Sequence, residues 1–249
     1  MRVFLYSLVL CLSLVSGDVF AMTLESGPQR VSLLELYSSE GCSSCPPADE
    51  WINSLRQDKN LWKDFVPVVF HVDYWDYLGW KDVYASPRFS QRQRDYAASW
   101  GTDSVYTPGF VKDGHEWRRQ FFGSVPPTKK ENVGRLTVEQ NGENVKILFQ
   151  ASLELNESAW LANAAILSFN KRSEVQRGEN AGRTLSHDFV VSEHVSGPMK
   201  KEGENFVADL KLAESKPEAI AVWVTRADKL EPVQAAGGYI SVKPRGNID

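Results

Sequence analysis

The sequence predicts an α/β domain followed by an all-β, sandwich-like domain. Two observations carry this division. Residues 29–123 alternate short apolar runs with segments of helical period, whereas residues 135–245 largely lose that period. In the second stretch, short strand-like runs are separated by turn signals. Residues 124–134, rich in charge and proline, read as the linker between them.

Composition sets the limits. The chain has 249 residues, 24% of them charged and 11% aromatic, which excludes an intrinsically disordered protein. A net charge of −4 argues against a protein built to hold nucleic acid. Three cysteines are too few for a disulfide scaffold.

Residues 1–21 read as a secretory signal peptide. Arg2 gives a positive start, Val3 to Val15 is an apolar run too short to span a bilayer, and Val19-Phe20-Ala21 is a plausible cleavage site. Cleavage removes Cys11 and leaves Cys42 and Cys45. No later run is apolar and long enough to span a membrane. The mature chain is therefore expected to be soluble and secreted or periplasmic, where disulfides persist.

Residues 31–37 predict a strand. After the loop that follows, Ala48, Trp51, Ile52 and Leu55 share one helix face, with Pro46 and Pro47 in the first turn, where proline is tolerated. Residues 65–73 predict a second strand. Ser86-Pro87 predicts a helix start, and the helix should run to about Trp100 and stop at Gly101. Thr107-Pro108 enters a short strand, and Asp113-Gly114 predicts a hairpin turn. Asn141-Gly142 predicts another hairpin. Further strands are expected at 160–169, 184–191, 205–212, 218–226 and 233–242, with a polar loop at 171–183.

Cys42-Ser43-Ser44-Cys45 thus falls where a strand gives way to a helix. A thiol attacks a disulfide as its thiolate, and a helix N-terminus stabilises that anion. Cys42 is placed to act as nucleophile and Cys45 as the resolving thiol, with a serine hydroxyl from Ser43 or Ser44 available to the thiolate. A purely structural disulfide is the first rival. It would close a four-residue loop, worth about 2 kcal/mol against about 3 for fifteen residues. A metal half-site is the second, but zinc patterns carry two such pairs or a spaced histidine pair.

The order strand, Cys-x-x-Cys, helix, strand, helix, Thr-Pro, hairpin is similar to the thioredoxin fold. That resemblance implies a thioredoxin-like domain at 29–123. It also implies a cis Thr107–Pro108 bond facing the cysteines, with Thr107 and Pro108 as substrate-binding residues. The stretches LYSSEGCSSCPPAD, HVDYWDYLGWKDVYASP, VYTPGFVKDG and RGENAGRTLSHDFVV further resemble the secreted bacterial family of unknown function numbered 1223. That family implies a thioredoxin-like domain followed by a β-rich one, and no established reaction.

Other residues have two readings each. Tyr74, Trp75, Tyr77 and Trp80 can line a substrate groove, with Trp75 chosen as a substrate contact, or simply pack. His71 and Asp73 share a strand face and can tune the thiolate, ligate a metal or close the strand end. Glu40 can relay protons or be a solvated loop carboxylate. Arg177, Glu179, Asn180, Arg183 and His187 can recognise a partner or an anion, or solvate a hairpin end.

The leading expectation is an exported thiol–disulfide oxidoreductase, with protein or small-molecule thiols and disulfides as partners and no cofactor. The alternatives are a copper(I)- or other metal-handling protein using Cys42, Cys45 and His71, or a non-enzymatic binding module.

Overall fold

A computed structural model describes residues 22–240, apart from 119–122, 124, 126, 128–129, 156–158 and 214–216. The expected signal peptide, several linker positions and the end of the last expected strand lie outside the described residues.

The protein is β-rich. The first half contains β1 (Met22–Glu25), β2 (Ser32–Ser38), α1 (Pro46–Ser54), β3 (Phe65–His71), α2 (Pro87–Ser99), β4 (Gly109–Lys112) and β5 (His115–Glu116). The second half contains β6 (Gly134–Asn141), β7 (Asn144–Ala151), β8 (Trp160–Ser168), β9 (Lys171–Glu174), β10 (Thr184–His187) and β11 (Val190–Pro198). It ends with β12 (Lys200–Glu202), β13 (Asn205–Lys211), β14 (Ala219–Arg226) and β15 (Pro232–Tyr239).

Local chemistry explains the expected elements. Pro46 and Pro47 occupy the first turn of α1, and Ala48, Trp51 and Ile52 are its buried face. Leu55 continues that face in a short 3-10 turn. The Ser86 hydroxyl accepts from the Arg88 amide and caps α2, and Gly101 follows with φ 77°.

The short strands β1, β9 and β12 escape the sequence pattern. None of them is fully buried, so none carries a strong apolar signature. β11 also runs on to Pro198, past the end expected at 191. Lys171–Glu174 was expected in a loop and instead pairs antiparallel with β10. The strand expected at 184–191 breaks at Phe189, which has φ 57°. Tertiary packing holds that turn: the Phe189 ring meets Phe169 and Trp62, and the Phe189 carbonyl accepts from the Val69 amide at 2.9 Å.

The sheets run in the order β15-β14-β8-β11-β3-β2-β4-β5 (eight strands), β1-β6-β7-β13-β12 (five) and β10-β9 (two). In the eight-stranded sheet, β2 and β3 run parallel and are buried along their whole length. In contrast, β6 alternates buried and open residues, as a sheet with one wet face does.

Strands from both sides of residues 124–134 share the large sheet. The junction is the parallel bridge between Val190 of β11 and Val69 of β3. Gln234 of β15 strengthens it. Its Oε1 accepts from the Val31 amide at 2.8 Å, and its Nε2 donates to the carbonyls of Gly27, Gln29 and Gly134.

Two apolar cores flank this sheet. One lies against the five-stranded sheet and includes Leu136, Ile147, Phe149, Trp160 and Val222. The other lies under the helices and joins Leu36, Ile52 and Phe70 to Leu167, Val191 and Trp223 of the second half. Within it, Arg92 of α2 makes two bonds to Glu35 of β2, at 2.8 and 3.0 Å, and the hydroxyls of Tyr37 and Tyr96 donate to the same carboxylate. That network fixes α2 across β2, because a buried charge left without its partner is strongly destabilising.

Candidate functional site

Cys42 and Cys45 are joined in a disulfide with Cα atoms 5.4 Å apart. Cys45 is the N-cap of α1, and the Ala48 and Asp49 amides donate to its carbonyl. Cys42 sits one turn earlier and is 2% exposed. The expectation of an open nucleophile at the helix mouth therefore needs revision. Ser43 and Ser44 face solvent and Cys42 lies beneath them.

Ser44 supplies the expected hydroxyl: its Oγ is 3.4 Å from Cys42 Sγ. The same hydroxyl reaches the Thr107 carbonyl at 3.5 Å. The Thr107–Pro108 peptide is cis. Trp75 completes this side, since its indole N–H donates to Thr107 Oγ1 at 2.7 Å. A side chain on Gly41 would meet Trp75 Cβ at 2.8 Å, so glycine lets the cysteine loop approach that close. Cys42, Ser44, Trp75 and Thr107 thus form one connected face.

The other aromatics divide. Tyr74 donates to Gln93 and Trp80 to Glu40, whereas Tyr77 is 76% exposed and stacks beside Trp75. Asp73 is bonded to Ser90 and closes the end of β3.

Glu40 is fully buried, which corrects its reading as a solvated loop carboxylate. Its amide donates to Asp82 at 2.9 Å, and its Oε1 lies 3.3 Å from His187 Nε2. His71 Nδ1 sits 2.6 Å from Asp82 Oδ2, and the His71 and His187 rings stack edge to face at 4.8 Å. Asp49, one turn beyond Cys45 on α1, accepts from Ser38 and lies 3.8 Å from His187 Nδ1.

This acid–imidazole cluster lies behind the cysteine loop, and its charges set its protonation. Burial opposes a charged His71, but Asp82, Asp49 and Glu40 raise its pKa to about 9. Burial pushes Asp82 up, and His71 outweighs that and holds it below its ordinary value. Glu40 is likewise lowered, with His187 and Trp80 overcoming its burial. Asp49 is raised, chiefly by burial. Asp49 had one sequence signal, being i+4 from Cys45. Asp82 had none, because its partners are distant in the chain.

The polar turn at 175–183 reaches back onto the cysteine loop. The Asn180 amide group donates to the carbonyls of Glu40 and Cys42, at 2.8 and 2.9 Å. The Ser43 amide donates to Glu179 Oε2 at 3.1 Å. These two residues therefore hold the cysteine loop, in addition to ending a hairpin. Among the described residues, no group of three or more His, Cys, Asp and Glu is arranged to hold a metal ion. Cys42, Cys45 and His71 do not form such a group.

A β-rich protein with a Cys-x-x-Cys disulfide at the start of a helix is the class that fold and site define. The chain belongs to the family described as protein of unknown function (DUF1223), whose pattern matches residues 33–225. Two solved structures share the fold. Protein AGR_C_4864 from Agrobacterium tumefaciens has a TM-score of 0.62 and 23% identity, over 84% of this chain and 94% of that one. HBP35 of Porphyromonas gingivalis has a TM-score of 0.62 and 13% identity, over 86% of this chain and 76% of that one. No curated protein matches the chain. Among the described residues, no helix is long and apolar enough to cross a membrane.

Proposed function

We propose that this is an exported thiol–disulfide oxidoreductase-like protein. In this reading β2, β3, β4, β5 and the two helices act as a thioredoxin-like unit, with residues 135–245 as the β-rich partner. The supporting observation is the face that joins the Cys42–Cys45 disulfide to the Thr107 backbone through Ser44. A disulfide in a four-residue loop gains less from chain entropy than one that closes a long loop, so a pair so placed serves exchange better than cross-linking.

The exchange balances as follows. Once Ser43 and Ser44, which cover Cys42, give way, a substrate thiolate attacks Cys42 Sγ, the Cys42–Cys45 bond breaks and a mixed disulfide forms, and Cys45 leaves as a thiolate that takes up a proton. The substrate's second thiolate then displaces Cys42. The substrate ends as a disulfide and the protein as a dithiol, and the reverse sequence oxidises the protein. Thr107 and Trp75 would position the incoming chain beside Cys42, and Pro108 would hold the Thr107 backbone.

Insulin reduction in the presence of a dithiol tests this. Cys42→Ser and Cys45→Ser should each abolish the activity of the wild-type protein. Equal rates for wild type and Cys42→Ser would remove the reading.

A further inference from the structure

The turn at residues 175–183 places a carboxylate against the cysteine loop. Glu179 is exposed, yet it takes the amide of Ser43, the residue directly after Cys42. This contact brings a negative charge against the backbone next to Cys42, where an anion on that sulfur would feel it. Asn180 is fully buried and holds the carbonyls of Glu40 and Cys42, on either side of Gly41, so the turn is anchored rather than adventitious. Arg183 in turn donates to Asn180 Oδ1 at 3.0 Å and fixes the side chain's orientation.

We propose that Glu179 tunes the Cys42–Cys45 couple: its carboxylate opposes a thiolate at Cys42 and biases the pair toward the disulfide. Asn180 is the positioning residue that keeps Glu179 there. The proposal rests on the thiol–disulfide reading and adds a direction to it. Reduction by a dithiol breaks the Cys42–Cys45 bond and forms one in the reductant, with two electrons and two protons passing to the protein. If Cys42 then releases its proton to solvent, the anion it carries faces Glu179. A couple biased this way has a dithiol that is a better reductant of other disulfides and a disulfide that is a weaker acceptor of electrons. Arg177 and Arg183 lie on the same turn, and Glu40, Asp49, Asp82, His71 and His187 are buried behind the cysteine loop.

The test is the equilibrium of the full chain with reduced and oxidised dithiothreitol, read by thiol count after an acid quench. Glu179→Gln keeps the shape and an amide acceptor but removes the charge. It should shift the constant toward the dithiol by about threefold at low salt, the modest size expected of a screened surface charge. The shift should shrink in about 1 M salt, where the screening length is short. Glu179→Asp, which retains the charge, should stay near wild type. An unchanged constant in Glu179→Gln, or a shift toward the disulfide, overturns the proposal. A shift in Glu179→Ala but not in Glu179→Gln also overturns it, because that pattern is structural.

A second readout separates this from the redox reading. In Cys45→Ser protein, the Cys42 thiolate is titrated by its ultraviolet absorbance, with Glu179 or Gln present. Glu179→Gln should lower the midpoint. If the wild type never equilibrates with dithiothreitol, the oxidoreductase reading falls, while this titration still decides the role of Glu179.

Discussion

His71 holds its proton in the folded protein up to about pH 9, because Asp82, Asp49 and Glu40 surround it despite its burial. An unfolded imidazole releases its proton near pH 6.5. Between those values the folded state binds a proton that the unfolded state has lost, so stability falls as pH rises. His194 behaves in the opposite sense. Burial, then Arg92 and Arg88, lower its pKa to about 3. Below pH 6.5 the unfolded chain gains a proton there that the fold refuses, so stability falls as pH drops toward 3. Lowered Glu40 and Asp82 add to the loss once the pH passes below the unfolded carboxylate range, and raised Asp49 subtracts from it. Urea unfolding should therefore show greatest stability near pH 6.5, declining on both sides. His71→Asn should flatten the limb between pH 6.5 and 9, and an unchanged limb would show that His71 is not held charged. None of this was legible in the sequence. His71 was visible as a histidine on a strand, but Asp82 and Asp49 reach it from other elements.

At the scale of elements, the helices and most strands were legible because their apolar spacing is local. Ala48, Trp51 and Ile52 announce α1, and Ser86-Pro87 announces α2. The turn at 175–183 was legible as polar and no further. Its role comes from reaching a loop more than 130 residues earlier, where Asn180 meets Glu40 and Cys42. Asn180→Ala would remove the side-chain donor from the buried Glu40 carbonyl and leave the Cys42 carbonyl with the Cys45 amide at 3.2 Å. The expected cost is about 1–3 kcal/mol, as for other buried polar groups left unpaired. Urea midpoints should fall with the slope unchanged. Amide exchange at residues 40–45 should speed up more than exchange in the five-stranded sheet. A uniform increase across the chain would mean that the turn does not specifically hold the cysteine loop.

For the whole molecule, the decisive fact is the shared sheet. β11 lies beside β3, and the core under the helices takes Leu167, Val191 and Trp223 from the second half. Unfolding should accordingly be one cooperative transition by calorimetry. A fragment of residues 29–123 alone should show none, because one edge of β3 and the core around Phe70 would be exposed. A fragment that unfolds cooperatively with a native-like circular dichroism spectrum would refute this. The sequence by itself determined the cysteine pair at a helix start, the Thr-Pro entry to β4, the hairpins and the family, since each depends on residues close in the chain. Tertiary structure decided the burial of Cys42, the acid–imidazole cluster and the reach of Glu179 and Asn180. It also decided the joining of both halves through β11 and β3. Those depend on which distant backbone groups and charges meet, and a linear pattern of side chains does not specify that.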